Sequence, residues 1–315
     1  MRARALARVV MHKRALPMIH IIASCSSTKT LPTPRARQFG DIARHASDRL
    51  ELWRHRLEVG VAAERVVAKD LYAGQHWSVA RGLPEEAAAA AWAPSLWIAS
   101  AGLGLVNASD IVPAYSATFA RRQQDSVATE PEAARAWWES LGHLGRARGG
   151  PGSVRALARQ YPQATILVLA SPPYIAALRD DLIAAGKELQ RPDRLVILSS
   201  RGASTSSLAE SVVELSGSLR LVLGGGLVSL HARAARHALR LVRPPDFTRT
   251  VLKEFFRRTE GRTSEMRIET YPTALPQLRE SAEATTTRPP HALGARRQAG
   301  SSASIQSSEA LGRRA

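Results

Sequence analysis

Five short apolar runs rich in β-branched residues constrain this chain more than any other feature: residues 18–23, 96–99, 165–170, 194–198 and 219–223. Each is nearly continuous rather than alternating, which is how a strand buried on both faces reads. Helix-period segments lie between and around them, at 41–59, 173–189 and 227–241. Strands alternating with helices imply βαβ units with right-handed crossovers. The expected fold is therefore α/β, a mainly parallel sheet with flanking helices, followed by a disordered C-terminal tail.

The tail is expected at 282–315, where Ser, Thr, Ala, Arg and Pro dominate and large apolar groups are scarce, so too little surface can be buried to offset the ordering entropy. Residues 1–17 are arginine-rich and acid-free, like a transit peptide; alternatively translation starts at Met18, immediately before the first strand. The α/β domain is expected over 18–243, with an irregular, glycine-rich insertion at 121–160. Residues 244–281 are read as a helical segment, with its helix near 247–258.

The formal net charge is +17, from 44 basic and 27 acidic residues. Clustered basic side chains attract polyanions, so nucleic acid or a nucleotide or base ligand is an expected partner. The first seventeen residues carry +5 and the stretch from 282 onward +3, which leaves +9 for residues 18–281. A single cysteine, Cys25, excludes an internal disulfide and a multi-thiolate metal site, and it fits a reducing cytoplasm. No metal signature is present, no cofactor is expected, and no run approaches the ~18 apolar residues that a membrane-spanning helix needs.

The functional clue lies in the residues directly after each apolar run. The runs end in SCSSTK, SAGLG, SPPY, SSRG and GGGLVS. In a parallel sheet such ends share one edge, and open α/β sheets bind ligands in the crevice outside the carboxyl ends of their strands. Cys25 with Lys29 is the candidate catalytic pair, since a nearby ammonium or a helix N-terminus favours a thiolate nucleophile; the plainer alternative is a small residue filling a strand end. Ser26, Ser100, Gly102, Gly225, Ser229 and Arg233 are candidate substrate contacts along the same edge. Gly74, in the segment LYAG, joins them. Tyr72 and Tyr115 lie in non-repetitive stretches, where an aromatic ring either stacks on a base or packs in the core. Trp77, Trp92 and Trp97 read as core. GLGLVN at 102–107 lacks the third glycine and the helix of a dinucleotide fingerprint.

Three blocks, IIASCSSTKTLP, AKDLYAGQHWSVAR and LWIASAGLGLVNASDIVPAYSATF, occur here in that order. Together they resemble a domain group related to the YaaA peroxide-stress family and to DpdC-like proteins, over about residues 18–120 and more loosely over 160–240. The resemblance implies an α/β domain connected with nucleic acid, acting on a nucleobase or nucleotide such as a 7-deazaguanine base in DNA or tRNA. It also implies a role in which Cys25 adds to a nitrile carbon, Lys29 supplies a proton or orients the adduct, and Tyr72 or Tyr115 stacks on the base. A non-catalytic DNA-binding protein of stress response or defence is the alternative.

Overall fold

The first half of the chain supplies β1 (Met18–Ser24), α1 (Arg49–Glu58), β2 (Arg65–Val67), α2 (Ala68–Leu71), α3 (Gln75–Ala80), α4 (Leu83–Ala89), β3 (Ala93–Ser100), β4 (Gly104–Asn107) and β5 (Ile111–Pro113). The second half supplies α5 (Pro131–Ala147), α6 (Val154–Gln160), β6 (Thr165–Leu169), α7 (Pro172–Glu188), β7 (Leu195–Ser200), β8 (Val212–Leu215), α8 (Arg220–Leu223), α9 (Leu230–Leu241) and α10 (Arg249–Glu269). These come from a computed structural model that describes residues 15–42, 48–58, 65–200, 202, 207–244 and 246–269, with side chains as far as 261. The expected extension over 1–17 (save residues 15–17) and the expected tail over 282–315 lie outside the described residues, as does the stretch 270–281.

β1 is central, and nearly all of it is shut away from water. From Ile19 to Ser24 every residue is buried, on both faces. It pairs in parallel with β3 on one side and β6 on the other, and the sheet runs β4-β3-β1-β6-β7-β8. The five parallel strands thus take the doubly wound order 2-1-3-4-5, with the antiparallel β4 closing one edge. Helices α4 and α9 pack on one face, and α5, α6 and α7 pack together on the other. Each fully buried Ile, Leu or Val side chain in the sheet contributes roughly 1.5–3 kcal/mol over leaving it exposed. A separate two-stranded antiparallel ribbon is formed by β2 and β5.

One expected strand is not a strand. Residues 219–223 belong to a single 3-10 turn, Gly217–Leu219, and to α8, while the fifth parallel strand is β8, earlier in the chain. The cause is local: the Ser216 hydroxyl accepts the Ser218 amide and turns the chain out of the sheet. Leu221 and Val222, read as buried, are 57% and 40% exposed. The glycines after α8 therefore do not continue a strand.

The region expected to be irregular contains α5 and α6. Glycines at 142 and 145 weaken the helical pattern of α5, yet they permit close packing: a Cβ on Gly145 would lie 2.8 Å from the Gly152 Cα. Asp181 on α7 accepts from the Val154 and Arg155 amides at the start of α6 and from Trp138 Nε1 on α5, so one partly buried carboxylate fastens three helices. Burial raises its pKa above the ordinary value. The helix expected at 41–59 is shorter, with a 3-10 turn at Phe39–Asp41 before α1; residues 43–47 and 59 lie outside the described residues.

His20, His76 and His231 are buried, and burial lowers each pKa to about 4; the charge of neighbouring His231 adds to the effect on His76. The unfolded chain binds protons at these residues from about pH 6.5 downward while the folded chain does not. Stability is predicted to be complete above about pH 6.5 and to fall from there down to about pH 4. Urea melts across that range check this, and replacing His20 with Gln should flatten the slope if the fold survives the change.

Candidate active site at the carboxyl ends of β1 and β6

β1 and β6 are neighbours whose onward connections go to opposite faces of the sheet, so the crevice of a doubly wound fold opens between their carboxyl ends. Cys25 stands there. Its amide still donates to Ala99 O at 3.0 Å, which holds it in line with the sheet, and its thiol meets the Tyr174 hydroxyl at 3.1 Å. Tyr174 occupies the first turn of α7, whose start is set by Ser171 and by two prolines that suit the first turn of a helix. A phenol is a better donor than a thiol, so the Tyr174 hydroxyl donates to Cys25 Sγ. Burial raises the Tyr174 pKa well above the ordinary value, with the charge on Cys25 acting in the same direction.

The turn after β1 is sewn to the segment after α2. Lys29 and Tyr72 form an antiparallel bridge, Thr30 N donates to Leu71 O at 2.8 Å, and Ala73 N donates to Thr28 O at 3.1 Å. This places the Lys29 ammonium 4.9 Å from the centre of the Tyr72 ring and 5.0 Å from that of Tyr115, while it donates to the carbonyl of Ser26. Cation–π contacts of this kind are worth ~0.5–2 kcal/mol, according to how dry the site is. Burial lowers the Lys29 pKa, and the negative charges of Cys25 and Asp125 act against that shift. A lysine so placed gives up its proton more readily than one in water.

Behind the lysine runs a chain of hydroxyls. The buried Ser100 Oγ accepts from the amides of Gly102 (3.2 Å) and Leu103 (2.8 Å), so both its lone pairs are engaged and its proton goes to Tyr115, 2.5 Å away. Tyr115 then donates to the Tyr72 oxygen at 3.0 Å. The Tyr72 proton ends the chain. Burial raises the pKa of both phenols, so they stay protonated donors at neutral pH, and both feel the charge of Cys25. Gly102 is needed for this geometry, since a Cβ there would lie 2.5 Å from the Tyr115 ring; its carbonyl accepts Trp53 Nε1 at 2.6 Å.

Cys25, Ser26, Lys29, Tyr72, Ser100, Gly102 and Tyr115, all singled out from the sequence, thus form one cluster. Gly74, with φ of +91°, precedes α3 and faces Thr28 at the edge of that cluster. Gly225, Ser229 and Arg233 form a second group. The start of α3 reaches toward it, since a Cβ on Gly226 would lie 2.9 Å from Gln75 Oε1. Trp77, Trp92 and Trp97 are core. Among the described residues no three or more His, Cys, Asp or Glu side chains gather as a metal site would require, and no helix is long and apolar enough to cross a membrane.

Sequence reasoning does not single out Tyr174 or Trp53. A signal for Tyr174 is present in SPPY after the third apolar run, but only the strand order brings that tyrosine beside Cys25. Phe119 packs edge-on against Tyr174, with ring centres 5.2 Å apart, and lines a cavity of about 240 Å³ with Arg121, Glu130, Pro172, Pro173 and Gly202. A larger groove of about 600 Å³ between α5, α6 and α7 shares none of the cluster's residues, and its Arg135 is paired with Glu132 and Asp180.

No family model matches the chain, and no curated protein is significantly similar to it. Gly102→Ala is predicted to cost about 1–3 kcal/mol by overpacking against Tyr115. Chemical denaturation measures this directly, and an unchanged midpoint would contradict the close packing described.

Proposed function

We propose that this chain is a nucleobase- or nucleotide-modifying enzyme in which Cys25 is the nucleophile. The observation that carries the reading is the meeting of the only thiol with the Tyr174 phenol at the switch point of the sheet, beside Lys29. A thiol used only to fill space has no need of a phenolic donor, a half-buried ammonium and a polarised hydroxyl chain on the same spot.

The chemistry that fits is addition to a polarised carbon–nitrogen multiple bond, the nitrile of a 7-deazaguanine-type base being the case suggested by the motif resemblance. The sulfur forms a bond to carbon, the nitrogen takes a proton from Lys29 or a phenol, and a thioimidate results. Water then adds to the same carbon, the carbon–sulfur bond breaks, and the thiol regains its proton. The net change is hydration of a nitrile to an amide, which needs no oxidant. The Tyr72 hydroxyl, preorganised by Ser100 and Tyr115, stabilises charge developing on nitrogen or oxygen.

Simple phosphate binding by the folded surface explains less. Many of the described arginines are already held by carboxylates, among them Arg54, Arg135, Arg155, Arg159, Arg191 and Arg240.

Chromatographic assay of deazapurine nitriles and their nucleotides tests the proposal. Cys25→Ser and Lys29→Met should each lower turnover by at least about 10²-fold, with melting temperatures close to that of the parent chain. Methionine is the right replacement for Lys29 because it keeps an apolar stem between the two tyrosines. Loss of folding in both variants, or full activity in Cys25→Ser, overturns the assignment.

A further inference from the structure

The cavity that Phe119 lines has walls of carbon and two opposite charges. Phe119 is buried, and Ala134, Pro172 and Pro173 are half-buried; all four line its space of about 240 Å³, together with Arg121 and Glu130. That volume is below the roughly 300–1,000 Å³ of a drug-sized ligand site, so it suits one compact ring system. The start of α7 offers no backbone donor to an anion. Pro172 and Pro173 have no N–H, and the next two amides, of Tyr174 and Ile175, both donate to Ser171 O at 3.0 Å. Where other helix N-termini present amides, this one presents proline rings.

The two charged residues add an independent observation. They carry opposite signs and line one small space, yet among the described residues neither is paired with the other or with any further side chain. Glu130 stands at the N-cap of α5 without capping it: its backbone carbonyl accepts Ala134 N at 3.0 Å, while its carboxylate makes no capping bond. Arg121 is carried by a loop closed at its base, where Thr118 N donates to Asp125 O and Val127 N donates to Thr118 O, each at 2.9 Å. A ligand that engages both residues needs adjacent donors on one edge and an acceptor on another, on a flat body that covers apolar walls.

We propose that this cavity binds a guanine-type base, with Glu130 and Arg121 deciding which base is accepted. The ring N–H and the exocyclic amino group of such a base lie side by side and match a carboxylate, and its carbonyl oxygen matches a guanidinium. Adenine has an acceptor in place of that ring N–H and has no carbonyl. Phe119 lines the cavity and also packs on Tyr174, whose hydroxyl meets Cys25 Sγ, so one side chain links the ring's site to the thiol's. That the base is the substrate's own rests on the function proposed above; the binding itself does not.

Calorimetric titration of the full chain with guanosine, inosine and adenosine tests this. Inosine keeps the carbonyl and the ring N–H but lacks the amino group. Guanosine is expected to bind at least about tenfold more tightly than inosine, the effect of one hydrogen bond to a charged group, and adenosine more weakly still. Glu130→Gln should remove the preference for guanosine over inosine, whereas Arg121→Gln should weaken both alike and leave adenosine unchanged. Both residues are exposed, so the variants keep the fold. Cys25→Ser should bind guanosine as the parent chain does, and binding that persists where no base is turned over leaves this site standing while removing the reaction proposed above. Equal binding of the three nucleosides, a guanosine preference that survives Glu130→Gln, tighter binding of free phenylalanine than of guanosine, or no saturable binding each overturns the proposal.

Discussion

The parallel pairing of β1 with β3 and β6 at once is the constraint on which the rest depends. A strand buried on both faces must have partners on both edges, since an unpaired backbone amide there costs about as much as a lost hydrogen bond. That requirement makes β1 central, and the helical connections then divide between the two faces. The division opens a crevice, and the residues immediately after β1 are forced to line it. Cys25 is the first of them.

The polarity of the hydroxyl chain has an equally simple origin. Two backbone amides occupy the Ser100 oxygen, so the serine must donate to Tyr115, Tyr115 must donate to Tyr72, and the last proton is left at the lysine end of the chain. Tyr174 meets the thiol through its hydroxyl. The ammonium of Lys29 lies over both ring faces rather than in an ion pair, which keeps it desolvated without neutralising it. Phenols that resist ionisation and a lysine that loses its proton more readily than usual suit proton donation to an electron-rich atom near Cys25.

Much of this is legible in the chain. Nearly continuous apolar runs identify β1, β3, β6 and β7, because strands buried on both faces carry few polar residues, His20 in β1 being one of them. The same criterion fails at 219–223, where Leu221 and Val222 lie on the surface and a serine cap ends the strand earlier. Hydrophobicity records what a residue prefers, not what a neighbouring hydroxyl makes the backbone do. α5 is obscured by Gly142 and Gly145, whose role is close packing rather than helix formation. Cys25, Lys29, Tyr72 and Tyr115 are recognisable as short-range features of their loops. Tyr174 is not, since 149 residues separate it from Cys25 and only the strand order closes that distance.

Whether Cys25 is a working nucleophile or a well-packed filler is decided most directly by its alkylation in the folded protein. Mass spectrometry can follow a small neutral reagent because the chain has a single thiol. A working nucleophile is modified under native conditions, at a rate that changes several-fold when Tyr174 is replaced by Phe. Protection until denaturant is added, with identical behaviour in both proteins, would contradict that role.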